Sequence, residues 1–270
     1  MILKENTMKL LQYLILLSTL FACGHVKKTK SLGESYSPIV SFSEEGRAYT
    51  SEIQLPKKFK DRLPLVVIVH EWWGRNDFIE GRSEMLNDAG YATLAVDLYG
   101  DGKSVETPQE AQALATAFYQ NPEIGVRRLT KYIEMASKDP HVDQDNIYVI
   151  GFCFGGTQAL NLARSGAQLK GVVSFHGGLS SSLNSTSIKA KVLALNGLSD
   201  PMVSAKEREA FQEEMKKLNV NHRIVNYKGA THAFTNPKAT EIGKKFKIPI
   251  AYNKKADEAS WKELLLFLQK

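Results

Sequence analysis

The sequence predicts an α/β fold, with one mostly parallel sheet and helices on both of its faces. Three observations carry that expectation. Leu65-Val66-Val67-Ile68-Val69 is a continuous, β-branched apolar run, the pattern of a strand buried on both faces. Similar short runs alternate with stretches of helical periodicity along most of the chain. No internal repeat breaks the alternation, so the βα units read as one open sheet. The chain has 270 residues, 43% hydrophobic and 24% charged, which suffices for a large core without staples.

The first segment stands apart. Lys4 and Lys9 precede an apolar run over residues 10–21, the layout of a secretory signal. The run is too short for a comfortable membrane span, which needs about 20 apolar residues. Met8 offers a second possible start, because Met8-Lys9-Leu10-Leu11 already opens like a signal. The run ends in Leu20-Phe21-Ala22-Cys23-Gly24, which resembles a bacterial lipobox. That resemblance implies cleavage of residues 1–22, lipidation of Cys23 and a place in a bacterial cell envelope, facing the periplasm or the cell surface. Residues 23–45 are rich in Lys, Ser and Gly and read as a tether, leaving 46–270 as the folded domain.

The elements of the domain follow in order. Residues 48–55 form a first strand, and 56–64, bounded by Pro56 and Pro64, a basic turn. The apolar run 65–69 is the second strand. A helix over 77–89 ends at Gly90, placed to take a left-handed cap. Residues 91–96 form a strand closed by Asp97. Two helices follow over 107–119 and 122–137, the second with Pro122 in its first turn and Asn121 as its cap. Strands over 147–150, 169–175, 192–195 and 222–227 are short and apolar or β-branched. Between them lie a helix over 154–163 and another over 205–218, with Phe211, Met215 and Leu218 on one face. An amphipathic helix over 257–268 closes the chain.

Composition excludes several functions. Two cysteines, Cys23 and Cys153, cannot make a disulfide framework, and no C-x-x-C occurs. The net charge of +6 is dispersed. Its densest stretch, Lys244-Lys245-Phe246-Lys247 with Lys254-Lys255, lacks the aromatic interleaving of a nucleic-acid surface and reads as a solvated face. His70-Glu71 opens like an H-E-x-x-H zinc motif, but the fifth position is Gly74.

The chemistry concentrates in Gly151-Phe152-Cys153-Phe154-Gly155-Gly156, between a predicted strand and helix. This is a nucleophile elbow, G-x-S-x-G, with Cys in place of Ser. A nucleophile on so sharp a turn needs small neighbours two residues away. The helix start directs N–H groups and positive dipole at the sulfur, which favours a thiolate, and the Phe154 N–H lies beside a developing oxyanion. An elbow calls for an acid and then a histidine further along. Asp200 and His232 both follow strands and supply them in that order. His232 would hold the thiolate and later activate water, and Asp200 would fix its tautomer. The loop His70-Glu71-Trp72-Trp73-Gly74 supplies a second oxyanion donor, the Trp72 N–H. His70 reads as a strand-end structural histidine. His176 reads as either structural or pocket-lining, and Trp72, Trp73, Phe154 and Phe234 as either an apolar cleft or core.

Together these residues resemble the dienelactone hydrolase family, α/β-hydrolases with a Cys-His-Asp triad. The resemblance spans about 46–269 and rests on His70-Glu71-Trp72-Trp73-Gly74, Asp97-Leu98-Tyr99-Gly100, the elbow, Asp200 and Gly229-Ala230-Thr231-His232-Ala233-Phe234. It implies a triad of Cys153, Asp200 and His232, a Trp72/Phe154 oxyanion hole, no metal or cofactor, and a Glu71 that contacts the resting cysteine. In the best-known members two arginines grip a substrate carboxylate. Here one of those places is Asn236, and the helix 107–119 has neither Arg nor Lys. An amide does not replace a bidentate clamp. The expected substrate is therefore a neutral ester, lactone or thioester, and a non-catalytic binding or redox-sensing lipoprotein on the same fold is the alternative.

Overall fold

The computed structural model describes residues 37–59 and 61–269. The expected signal segment, Cys23 and residues 23–36 of the expected tether lie outside them. In chain order the elements are β1 (Ile39–Glu44), β2 (Arg47–Gln54), β3 (Leu63–Val69), α1 (Asp77–Asp88), β4 (Ala92–Val96), α2 (Pro108–Gln120), α3 (Glu123–Ala136) and β5 (Val142–Phe152). Then come α4 (Phe154–Arg164), β6 (Gly171–Phe175), β7 (Lys191–Gly197), α5 (Ala205–Lys217), β8 (His222–Tyr227), α6 (Ala239–Phe246) and α7 (Lys254–Leu268).

The strands form one eight-stranded sheet in the order β1-β2-β4-β3-β5-β6-β7-β8. Pairing is antiparallel at β1–β2 and β2–β4 and parallel from β4 through β8. The continuous apolar run of β3 now has its reason. Val67 and Val69 face a core shared with α2, α3, α4 and α5, while Val66 and Ile68 face one shared with α1 and α7. Chain order reverses at β3, which has β4 on one side and β5 on the other. An open α/β sheet leaves a crevice at such a switch point, beyond the strands' C-terminal ends.

Local signals explain the helix ends. Asn76 caps α1 by accepting from the Phe78 N–H, and Thr107 caps α2 by accepting from Glu110. Gly90 takes φ +94°, as a left-handed cap requires. At α3, Pro122 itself is the cap residue, and Asn121 ends α2 instead of capping its successor.

Three further differences from the sequence expectation share one cause. Residues 39–44, assigned to the tether, form β1. Glu45 and Gly46 both take positive φ, a hairpin turn, and Phe42 stacks on Tyr49 at 5.0 Å. Glu44 then receives Arg127, Arg128 and Lys131 of α3 at 2.8, 3.0 and 2.7 Å. The Arg127 hydrogen bond, aided by the other two cations, holds its carboxyl well below the usual range. Strand β5 starts at Val142, because Leu63 and Pro64 pair with Val142 and Asp143 before a register shift. Helix α6 was not anticipated, since its apolar face gains meaning only where Ile242 packs with Ile248 and Ile250. In each case a stabilising partner lies outside the local pattern: α3 for β1, beyond its hairpin with β2, Leu63 and Pro64 for the start of β5, and Ile248 and Ile250 for α6.

Two glycines test the packing. A methyl at Gly81, inside α1, meets nothing within 4 Å. Gly81→Ala should raise stability by about 0.5–1 kcal/mol in a urea melt. A methyl at Gly155 runs into the Val69 and His70 carbonyls, so Gly155→Ala should lower stability by about 1–3 kcal/mol.

Candidate active site

Cys153 sits between β5 and α4 with φ 54° and ψ −116°, a backbone that L side chains rarely adopt. Such strain persists only where surrounding structure over-determines it. Here the Cys153 N–H donates to the Phe175 carbonyl at 2.9 Å, and its own carbonyl accepts from Gly156 and Thr157 at 3.0 and 3.3 Å. The glycines are needed for contact. A Cβ on Gly151 would strike the Gly155 carbonyl, and one on Gly156 would meet Ser174 Oγ at 2.5 Å. Phe154 is the first residue of α4, so its N–H has no intrahelical acceptor.

The structure brings Asp200 and His232 to this sulfur. His232 Nε2 lies 3.0 Å from Cys153 Sγ, and His232 Nδ1 lies 2.8 Å from Asp200 Oδ2. The other Asp200 oxygen accepts from the Met202 N–H at 2.8 Å, so the carboxylate also holds its own turn. All three loops leave the C-terminal ends of parallel strands. Burial opposes charge on His232, but the Cys153 sulfur and the Asp200 carboxylate outweigh it and raise the imidazole to about 10.

A fourth loop follows β3. A turn closed by the Gly74 N–H on the Glu71 carbonyl (3.2 Å) carries Trp72, whose carbonyl accepts from Tyr99 Oη at 3.0 Å. His70 is fully buried, donates through Nδ1 to the Glu71 carbonyl (2.6 Å) and accepts through Nε2 from Leu98 N–H (3.2 Å). Burial lowers its affinity for a second proton, so it serves as a neutral brace. Glu71 is also buried, and burial raises its carboxyl to about 7 against the opposing pull of Asn236, His232 and Arg82.

The model of the dienelactone hydrolase family matches residues 50–270. The chain belongs to the dienelactone hydrolase family. Among its relatives is a protein of Aquifex aeolicus whose name assigns it, provisionally, as a carboxymethylenebutenolidase. The two are 25% identical over 210 residues, 76% of this chain and 89% of that one. A solved dienelactone hydrolase-like promiscuous phosphotriesterase from metagenomic libraries superposes with a TM-score of 0.80 at 28% identity, covering 88% of this chain and 98% of that one. A second solved structure, titled m3DLH, gives 0.81 at 29% identity with the same coverage. The fold is thus the α/β-hydrolase fold, and the protein is a hydrolase of ester or lactone bonds.

Against this dienelactone hydrolase frame, several expected residues fall elsewhere. Glu71 Oε2 accepts from the Asn236 amide at 2.6 Å, while the hydrogen-bond partner of Cys153 Sγ is His232, in place of the implied Glu71–cysteine contact. Phe234 is fully buried, its ring against Tyr227 and His176. His176 is equally buried, with Nε2 2.8 Å from Thr235 Oγ1, which decides for its structural reading. Phe154 is core. Trp73 and Asn236 line a cleft of about 340 Å³ with Phe78, Val105, Ile242 and Lys245, a cleft whose lining does not include Cys153, Asp200 or His232. Sequence reading missed Tyr119 of α2, which packs edge-on against Phe154 at 6.0 Å. Tyr119 is nonetheless 46% exposed, so its phenol is only partly withdrawn from water; that partial desolvation first, and the nearby Cys153 second, hold its proton more tightly than usual. A tyrosine in an amphipathic helix gives no sign of this in sequence. Among the described residues no group of three or more His, Cys, Asp or Glu is placed to hold a metal ion.

The raised imidazole has a measurable consequence. His232 binds its second proton more tightly folded (about 10) than unfolded (6.5), so the stability it contributes is complete below about pH 6.5 and is lost as pH rises to about 10. Wild-type Tm should fall across that window. Cys153→Ala, which removes the sulfur that helps raise the imidazole, should flatten the fall in a pH series of thermal melts.

Proposed function

We propose that this protein is an envelope-anchored cysteine hydrolase that cleaves neutral carboxylic esters or lactones through an acyl-enzyme on Cys153. The observation that supports it best is the unbroken line Asp200 Oδ2–His232 Nδ1 (2.8 Å) and His232 Nε2–Cys153 Sγ (3.0 Å) on a strained elbow. The thiolate attacks the carbonyl carbon. The carbonyl oxygen becomes an oxyanion between the Trp72 and Phe154 N–H groups. As the carbon–oxygen bond breaks, His232 gives its proton to the leaving alkoxide, and a thioester remains. Water then attacks that thioester, His232 takes a proton from it, and the acid leaves with the thiolate restored. Asp200 holds the ring tautomer and stabilises the imidazolium throughout.

A neutral substrate fits the surroundings. Asn236, four residues after His232, is already committed on both ends: Nδ2 donates to Glu71 and Oδ1 accepts from the Lys238 N–H at 3.0 Å. It leaves no fork for a carboxylate. The Leu20-Phe21-Ala22-Cys23-Gly24 string supports a lipid anchor at Cys23 and a bacterial envelope location. Each buried methylene of such an anchor adds about 0.8 kcal/mol of membrane affinity.

Two experiments test this. The chain should hydrolyse short p-nitrophenyl esters or simple lactones, and Cys153→Ala should lower kcat by at least about 10³-fold; full activity in that variant would sink the cysteine mechanism. Expressed in bacteria, the full chain should partition into detergent and carry fatty acid. Cys23→Ser should abolish both, and unchanged partitioning would overturn the anchor.

A further inference from the structure

Several contacts converge on Thr235, three residues beyond His232. Its carbonyl accepts from Arg82 Nη2 at 2.7 Å, and its hydroxyl lies 2.8 Å from His176 Nε2. Arg82 reaches in from α1. It is buried, with Nη2 also 2.7 Å from Asp257 Oδ1 of α7 and its guanidinium over the rings of Phe78, Phe152 and Trp261. His176 ends β6 at φ 42°, and its ring stands edge-on to that of His232 at 5.4 Å. On the other side, the His232 and Phe234 carbonyls accept from the Ala251 and Asn253 N–H groups at 3.2 and 3.0 Å.

The segment so gripped is not a relaxed one. Ala233, directly after His232, is buried in the left-handed region at φ 56°. A non-glycine residue there costs about 1–3 kcal/mol and relaxes unless neighbours hold it. An Arg82–Asp257 ion pair serving only to join α1 and α7 would not need the Thr235 carbonyl. The shared Nη2 instead ties both helices to the loop that carries His232. Burial keeps His176 far less basic than a free imidazole, so it braces His232 without competing for its proton.

We propose that Arg82 is a positioning residue for His232, acting through the Thr235 carbonyl, with His176 and the Thr235 hydroxyl as the second brace. Together they hold the strained segment so that Nε2 stays within reach of the Cys153 sulfur through both half-reactions. This rests on the cysteine-hydrolase reading, but it has a readout independent of turnover. Alkylation of Cys153 by iodoacetamide, followed on the mass of its own peptide in the full chain, reports how well His232 maintains a reactive sulfur.

The test uses three variants. Arg82→Met/Asp257→Asn removes the guanidinium without leaving Asp257 as an unpaired buried charge. It should keep the far-UV circular dichroism, lower kcat roughly 10- to 100-fold with KM little changed, and slow Cys153 alkylation in parallel. Asp257→Asn alone leaves an acceptor for Arg82; it should lower Tm yet keep kcat and alkylation within about twofold of wild type, a much smaller loss than a misplaced catalytic group gives. Thr235→Val cuts the second brace and should reduce both rates, and it decides the matter if the double variant fails to fold. Wild-type rates in the double variant or in Thr235→Val would overturn the proposal, as would an equal loss in Asp257→Asn. Should wild type turn over no ester, the hydrolase reading fails on its own, and the alkylation series still decides whether Arg82 places His232.

Discussion

Helix α4 begins hard against the end of β3, and the rest of the site depends on that approach. Any side chain at residue 155 would overlap the Val69 and His70 carbonyls. With glycine there, β5 turns into α4 within one residue, and that residue is Cys153, in a conformation it would not adopt alone. The same closeness brings the first turn of α4 against the Val69 and His70 carbonyls, where the loop that carries Trp72 begins. On the proposed cysteine-hydrolase reading, the switch point between β3 and β5 would supply both the nucleophile and the backbone donors from adjacent strand ends.

Around this turn the protein buries an unusual number of ionisable groups: His70, Glu71, Arg82, His176, Asp200, His232 and Asp257 all lie inside. Each is managed differently. Hydrogen bonds at both ring nitrogens fix His70 as a neutral group. Burial alone dominates at His176 and keeps it neutral. Of the three histidines, His232 is the one flanked by Asp200 and the sulfur, and there attraction exceeds desolvation. The site therefore places one imidazolium among neighbours that do not take up its proton. Glu71, held near 7 and bound to Asn236, is the other group poised to change charge near neutrality.

The N-terminal hairpin shows a different economy. Strands β1 and β2 extend the parallel sheet on its antiparallel side, and Glu44 pins them to α3 through three cations. Tyr49 and Phe42 complete the seal, stacked on each other beneath Arg128 and Lys131. The folded unit thus begins before residue 46. Residues 39–44, with Ile39, Val40 and Phe42 among them, suit a strand, and Arg47–Gln54 and α3 supply the partners that fix it there.

By itself, the sequence determined the α/β class, the succession of buried strands and the order Cys153, Asp200, His232. Those features are written in local chemistry: β-branched runs, glycines flanking a nucleophile, loops after strands. It also identified the Trp72 loop, because that loop follows an apolar run directly. Only the tertiary structure decided that Phe234 and His176 are packing residues, that Asn236 serves Glu71, and that Arg82 reaches Thr235 from 153 residues away. No local signal marks these. A side chain's environment is set by which elements pack against it, and that depends on contacts whose partners are far apart in the chain.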